Sequence, residues 1–242
     1  MTRFAFPLLA ATAFALAASP SLAQKKSAAR SKAKPAVTKV AEPAIPPVCP
    51  LPGGEIPVRL ATSLGTVDVA LDAKRAPVST ANFLAYTDSR KYDGASFYRV
   101  MKMPGDAAAT PGLVQAGQRT PGMILPPIAH EPTTQTGLSH VTGAISMARL
   151  APGTATSDFF IMTSDMKGLD ADPARAGDNA GYAVFGHVTS GMEIVRQIYG
   201  LPIDPAKGPM VGQMIAEPVK ITSARRIPLR KADDPACAAA RP

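Results

Sequence analysis

The sequence predicts a mainly β fold, a barrel or a sandwich, and three observations carry that prediction. Apolar runs of strand length recur from Val58 to Arg226, with turn residues between them. Several of these runs follow one another with no helical stretch between them, which opposes a βαβ arrangement. Helical periodicity is confined to two short segments.

The chain opens MTRFAFPLLAATAFALAASPSLAQ. A single Arg3, a short alanine-rich apolar stretch and Ser21-Leu22-Ala23 have the layout of a secretory signal peptide over residues 1–23, cut before Gln24. The stretch falls short of the ~20 residues of a spanning helix, and Pro7 and Ser19 interrupt it. The mature chain is therefore expected to be exported to the periplasm, with no membrane span. Residues 24–54 read as a disordered basic and Pro-rich linker, because they offer no periodic apolar face to offset the entropy of ordering. Residues 55–230 form the expected domain and 231–242 a tail.

The formal net charge of +8 is largely a property of the linker, which holds Lys25, Lys26, Arg30, Lys32, Lys34 and Lys39. A nucleic-acid binder wants a basic stripe on the fold with interleaved aromatics, and neither is present in the sequence. Cys49 and Cys237 flank the domain and are not spaced for metal ligation. In an oxidising compartment they are a disulfide candidate, provided the two ends of the domain meet.

Strands are expected at Val58–Ala61 and Thr66–Leu71, around a turn near Gly65. Further strands follow at Phe97–Val100, Leu113–Gly117, Ala144–Ala148, Phe159–Thr163, Ala183–Val188 and Val219–Arg226. The first helix runs from Ala76 to Asp88, with Pro77 in its first turn and an apolar stripe of Val78, Ala81, Leu84 and Ala85. The second spans S-G-M-E-I-V-R-Q-I-Y. Ser190 and Glu193 make a capping box for it, and Met192, Val195, Ile198 and Tyr199 share one side.

Several chemistries lack their residues. His130-Glu131 has no second histidine at the offset of a zinc-binding helix, and His140 and His187 complete the histidine count. Ser157 stands beside Asp158 without a G-x-S-x-G elbow. No Gly-rich phosphate loop precedes a helix. An enzyme built on this chain works without a nucleophile, metal or cofactor, and rotation about a peptide bond is one such reaction.

One residue stands out. In S-F-Y-R-V, regular alternation puts Phe97 and Arg99 on one face and Tyr98 and Val100 on the other. Neither face is a solvated polar one. Arg99 is either a snorkelling surface arginine or a fixed cationic donor at the rim of an apolar pocket.

Together these stretches resemble the cyclophilin family of peptidyl-prolyl cis–trans isomerases, in its bacterial exported form. The markers are G-T-V-D-V-A-L, A-P-V-S-T-A-N-F-L, S-F-Y-R-V, V-Q-A-G, G-A-I-S-M-A-R, S-D-F-F-I-M-T, L-D and G-Y-A-V-F-G-H-V-x-x-G-M-E-I-V, in family order from about Ile56 to Ile227. The resemblance implies a closed eight-stranded antiparallel barrel capped by two short helices. It implies that Arg99 is the principal catalytic group and that Gln115 holds the substrate backbone, assisted by main-chain groups near Ala148 and Arg149. Phe160 and Leu169 would form the proline pocket, with Tyr182 at its edge. The implied partners are proline-containing unfolded or partly folded polypeptides, with no cofactor and no nucleic acid, and the expected state is a monomer.

Three departures from the family pattern are visible. The stretch from Arg99 to Gln115 is about twice the usual length, and Gly112, Leu113 and Val114 stand where an aromatic and a methionine are usual. Leu113 would then supply part of the pocket floor. Asp158 replaces a glutamine, and a carboxylate there can pair with Arg99 or Arg149. Gly168 stands where many members carry an aromatic, which predicts weak binding of the family's cyclic-peptide inhibitor. Two further functions are consistent with the same residues: a peptide-binding or chaperone module with little turnover, and an envelope-interaction protein acting through its basic tail.

Overall fold

A computed structural model describes residues 44–103, 111–231 and 233–238. The predicted signal peptide, residues 24–43 of the predicted linker and the last residues of the predicted tail lie outside these. The described strands are β1 (Ile56–Thr62), β2 (Gly65–Leu71), β3 (Ser96–Lys102), β4 (Gly112–Gly117), β5 (Ala144–Met147), β6 (Phe159–Met162), β7 (Ala183–Ser190), β8 (Ile203–Asp204) and β9 (Met214–Arg226). The helices are α1 (Pro77–Asp88), α2 (Thr133–Thr136), α3 (Met192–Tyr199) and α4 (Pro235–Ala238). Each of the eight runs read as strands forms one. The two-residue β8 and the single-turn α2 and α4 are too short for a periodic signal.

The strands run β1-β2-β7-β5-β6-β4-β3-β9, and β9 pairs back onto β1, so eight antiparallel strands close into a barrel with β8 added beside β9. Closure leaves no long edge to pair with another chain. Alternation sorts the side chains. Val114, Ile145, Ile161 and Phe185 point into the barrel core, whereas Leu113, Ala144, Phe160, Met162 and Val184 form a second cluster on its outer face. Strands β4, β5 and β6 are thus buried on both faces. On β1 and β2 the outer face is polar, where Arg59 donates to Asp68 at 2.8 and 2.7 Å across the register pair.

Helix α1 buries a different stripe from the one its apolar residues predict. Val78, Ala81 and Ala85 are exposed, and Ser79, Thr80, Phe83, Leu84, Tyr86 and Thr87 face inward. The two aromatic rings decide the orientation, because each removes far more surface from water than an alanine, ~2–3 kcal/mol for a buried ring. Phe83 packs on Phe159 and Tyr92 with ring centroids 5.2 and 5.0 Å apart, and Tyr86 stacks on Tyr92 at 5.0 Å. The N-cap residue Ala76 has no side-chain acceptor. Instead the buried carboxylate of Glu131 accepts from the N–H groups of Val78 (2.9 Å) and Ser79 (2.7 Å).

The predicted capping box of α3 does not form. Ser190 is still in β7, and the N-cap is Gly191 at φ 88° with no side-chain cap bond. A Cβ at Gly191 would lie 2.2 Å from the Thr66 carbonyl oxygen, so the strand-to-helix turn is too tight for a side chain there. The predicted apolar side is correct: Val195 and Ile198 are buried, and Met192 and Tyr199 pack beside them.

Both predicted domain edges move outward. In the arm before β1, Val48 bridges in parallel to Leu229; its N–H donates to Pro228 O (2.9 Å) and its carbonyl accepts from Arg230 N (2.7 Å). Cys49 and Cys237 are joined, with Cα atoms 5.4 Å apart and a sequence separation of 188. Residues 44–54 and 233–238 therefore belong to the folded unit rather than to a linker and a tail. Closing so long a loop stabilises by up to ~5 kcal/mol in the chain-entropy account.

Glu131→Ala should remove the α1 cap and cost ~2 kcal/mol, read as a lowered urea midpoint at unchanged slope. An unchanged midpoint would show that the carboxylate does not hold the helix.

Candidate active site

The site lies on the outer face of the barrel and is built from one transverse row of side chains. Arg99 on β3 is in register with Gln115 on β4, Gln115 with Phe160 on β6, and Phe160 with Ser146 on β5. The next row is Met101, Leu113 and Met162. Regular alternation along β3 would not produce this. The register slips between Phe97, which pairs with Ala116, and Arg99, which pairs with Gln115. Tyr98 is the extra residue of a β-bulge. Phe97 and Val100 consequently face the core, while Tyr98 and Arg99 both line the outer cavity. The predicted pairing of Arg99 with Phe97 on one face is thereby corrected.

The cavity has a volume of about 350 Å³. Arg99, Leu113, Gln115, Ala148, Arg149, Asp158, Phe160, Leu169 and Tyr182, all singled out in the sequence, line it together. The Phe160 and Tyr182 rings meet edge to face at 5.5 Å. Met101, Pro209, Met210 and Met214 also line the cavity. The last three come from the start of β9 and the segment before it, and no spacing rule ties that stretch to Arg99.

The Arg99 guanidinium is held by two amides. Its Nη1–H donates to Gln115 Oε1 at 2.6 Å and its Nε–H to Gln213 Oε1 at 2.8 Å. Burial lowers its pKa, with the nearby Tyr98 and Tyr182 hydroxyls opposing, and the group remains a cation at any physiological pH. Of the two arginines open to it, Asp158 pairs with neither Arg99 nor Arg149. It accepts from Tyr98 Oη (2.7 Å), Ser157 Oγ (3.2 Å) and Arg119 Nη1 (3.3 Å). A Cβ on Gly117 would fall on the carboxylate, so glycine there makes its seat possible. Burial, reinforced by the Asp158 charge, pushes the Tyr98 phenol up, so it stays a donor. Tyr98 in turn accepts from Gln115 Nε2 (2.6 Å), which leaves Gln115 Oε1 for Arg99. Arg149 is occupied elsewhere: it pairs with Asp178 (2.8 and 2.9 Å) and lies over the Tyr182 ring at 4.9 Å. The Ala148 N–H is donated within the fold to Asp158 O at 2.8 Å.

Beneath the pocket lies a buried polar strut that sequence inspection did not single out. The His140 ring stacks on Phe160, with centroids 5.8 Å apart. Its Nδ1 faces Asp170 Oδ1 at 2.6 Å and its Nε2 faces Ser146 Oγ at 3.0 Å. An ionised Asp170 can only accept, so Nδ1 carries the proton and Nε2 accepts from Ser146. Burial alone would raise the Asp170 carboxyl, but hydrogen bonds from Ser139 and His140 outweigh it and leave it below its usual 3.8. Burial lowers His140 below its usual 6.5, and Asp170 opposes this only in part. This Ser–His–Asp order is a support and not a nucleophile, because Ser146 and His140 are 0 % exposed. Its sequence signal was the aspartate directly after Leu169.

A closed barrel bearing an apolar outer-face cavity with an amide-held arginine at its edge defines a class, and comparison with known proteins agrees. The profile of the family described as cyclophilin type peptidyl-prolyl cis-trans isomerase/CLD matches residues 57–226. The chain is 40% identical over 146 residues to peptidyl-prolyl cis-trans isomerase A of Dickeya dadantii, covering 58% of this chain and 70% of that protein. It is 35% identical over 173 residues to a peptidyl-prolyl cis-trans isomerase of Streptomyces antibioticus, covering 69% and 96%. A crystal structure of a Cryptosporidium parvum cyclophilin-type isomerase in the presence of the dipeptide Ala-Pro superposes with a TM-score of 0.52 at 22% identity, covering 70% and 98%, which shows the fold. The chain belongs to the cyclophilin-type peptidyl-prolyl cis-trans isomerase family, an isomerase family.

The buried histidine sets a pH dependence. His140 resists protonation in the fold, whereas in the unfolded chain it takes up a proton near its ordinary pKa of ~6.5. Stability should therefore fall as pH drops from 7 to 5. The Asp170 contribution is lost only below about 4, outside that window. Urea midpoints at pH 7 and pH 5 should differ less in His140→Asn than in the wild type. An equal difference in both would remove His140 as the cause.

Proposed function

We propose that this isomerase works on X–Pro bonds of exported polypeptides, with Arg99 as the catalytic group. The supporting observation is one juxtaposition. A cation held by two neutral amides, with three of its five N–H donors left over among the described residues, stands at the edge of a cavity lined by Leu113, Phe160, Leu169 and Tyr182. Such an apolar recess suits a proline ring, and Gln115 would hold the adjoining backbone.

Rotation about an X–Pro bond meets a barrier of ~18–20 kcal/mol, because the nitrogen lone pair is delocalised into the carbonyl. In the twisted transition state that delocalisation is lost and the nitrogen becomes an acceptor. A guanidinium aimed at it binds the twisted form more strongly than either planar one, and this difference lowers the barrier. A millionfold acceleration needs ~8 kcal/mol, of which one charge-assisted bond supplies ~1.5–3. Holding the ring in the recess and excluding water from the bond supply the rest. An amide-held arginine suits this better than an acid-paired one, since an adjacent carboxylate would cancel the field felt by the substrate.

The exported setting rests on the leader-like residues 1–23, the Cys49–Cys237 disulfide and bacterial relatives. Disulfides persist in oxidising compartments. The mature chain would begin at Gln24 and act as a monomer on unfolded or partly folded clients.

In a protease-coupled assay on a short X-Pro-Phe peptide, Arg99→Ala should lower kcat/KM by about 100-fold or more with little change in Tm. Arg99→Lys should rescue little, because a point charge lacks the planar fork. Full turnover by Arg99→Ala would end this assignment and favour a peptide-binding module. Expressed in a Gram-negative host, the protein should appear in the periplasmic fraction, oxidised and with Gln24 first. A cytoplasmic protein that keeps Met1 would overturn the exported setting.

A further inference from the structure

We infer that Gln213 is a positioning residue for the reaction: it fixes the orientation of the Arg99 guanidinium from the side opposite Gln115. The inference rests on the role proposed above for Arg99. The two amide oxygens take different donors of the same fork, Nε–H by Gln213 (2.8 Å) and Nη1–H by Gln115 (2.6 Å). A planar group held at two separate donors keeps little freedom to rotate about its last side-chain bonds. Its remaining N–H donors then have a set direction, and positioning of this kind carries much of the rate in a reaction without covalent chemistry.

Gln213 is itself anchored, which a chance contact from a loop would not require. Its carbonyl accepts from the N–H of Val100, the residue next to Arg99, at 2.8 Å. Its own N–H donates to Met210 O at 3.0 Å. The following residue, Met214, is in register with Arg99 across β3 and β9. The segment before it is held by Lys207, whose Nζ donates to Ala216 O (2.7 Å) and Ile215 O (3.3 Å). The same stretch contributes Pro209 and Met210 to the cavity wall. It therefore supplies both part of the wall and one of the two clamps on the guanidinium, from 114 residues away in sequence.

The test compares Gln213→Met, which keeps the length of the side chain and removes the acceptor, with Gln213→Glu, which keeps an acceptor oxygen. Steady-state kcat and KM are measured on the X-Pro-Phe peptide, with Tm and the NMR signal of the Arg99 Nε–H alongside. Gln213→Met should lower kcat about tenfold with KM within about twofold and Tm unchanged, and should shift the Nε–H signal. Gln213→Glu should restore an acceptor for the Arg99 Nε–H, and with it the signal, while kcat stays below wild type because the added carboxylate weakens the field of the cation. In an Arg99→Ala background, Gln213→Met should have no further effect. Wild-type turnover by Gln213→Met, or an equal loss with and without Arg99, would overturn the inference. If Arg99→Ala is slow and Gln213→Met is normal, only the role of Gln213 fails. If Arg99→Ala is normal, the assignment of Arg99 fails first.

Discussion

Arg99 reaches the pocket because β3 carries one residue more than β4 does at that point. Strand side chains alternate with a period of two, so a single inserted residue reverses the face of every side chain beyond it. Without the bulge at Tyr98, a strand that buries Phe97 would direct Arg99 into the barrel core with it. An unpaired guanidinium there would meet aromatic rings and no acceptor, at a desolvation cost of several kcal/mol. With the bulge, Phe97 and Val100 keep the core filled, and Tyr98 and Arg99 stand side by side outside. The row Arg99, Gln115, Phe160 and Ser146 results from strand pairing alone once that register is set.

The electrostatics of the site depend on how the acid near it is satisfied. Asp158 lines the same cavity as Arg99, and an unrestrained pair of opposite charges in so sheltered a place would attract strongly. Tyr98, Ser157 and Arg119 take the carboxylate instead. Tyr98 is the pivot: it donates to Asp158 and accepts from Gln115, and so aligns the amide whose oxygen holds Arg99. The bulge residue thus serves twice, as the cause of the register change and as the link that keeps acid and cation apart.

Beneath the apolar lining, rigidity comes from satisfied polar groups. A ring such as Phe160 can rock in a purely hydrocarbon seat. Here it lies against an imidazole fixed at both nitrogens, by Asp170 and by Ser146. Such a network is stabilising only when every member has its partner, and this one is complete. The same logic holds at α1, where Glu131 supplies from a distant loop the acceptor that Ala76 lacks.

By itself the sequence determined the eight barrel strands and the two principal helices, and it singled out Arg99, Gln115, Phe160, Leu169 and Tyr182, which the fold brings to one cavity. These were legible because strand alternation, turn residues and family motifs are local patterns, a few residues long. Motif context was indispensable for Phe160 and Leu169, which composition alone assigns to ordinary core. Tertiary structure alone decided the inward face of α1, because ring area outweighs the count of apolar residues. It also decided the absence of a capping box at α3, where the Thr66 carbonyl leaves no room for a side chain. Above all it decided the partners of the charged groups: Arg99 with Gln213, Asp158 with Tyr98, Glu131 with α1. Those partners lie from 52 to 114 residues apart. Hydrogen-bond geometry is set by tenths of an ångström between strands that meet only when the barrel closes, and no local pattern along the chain encodes it.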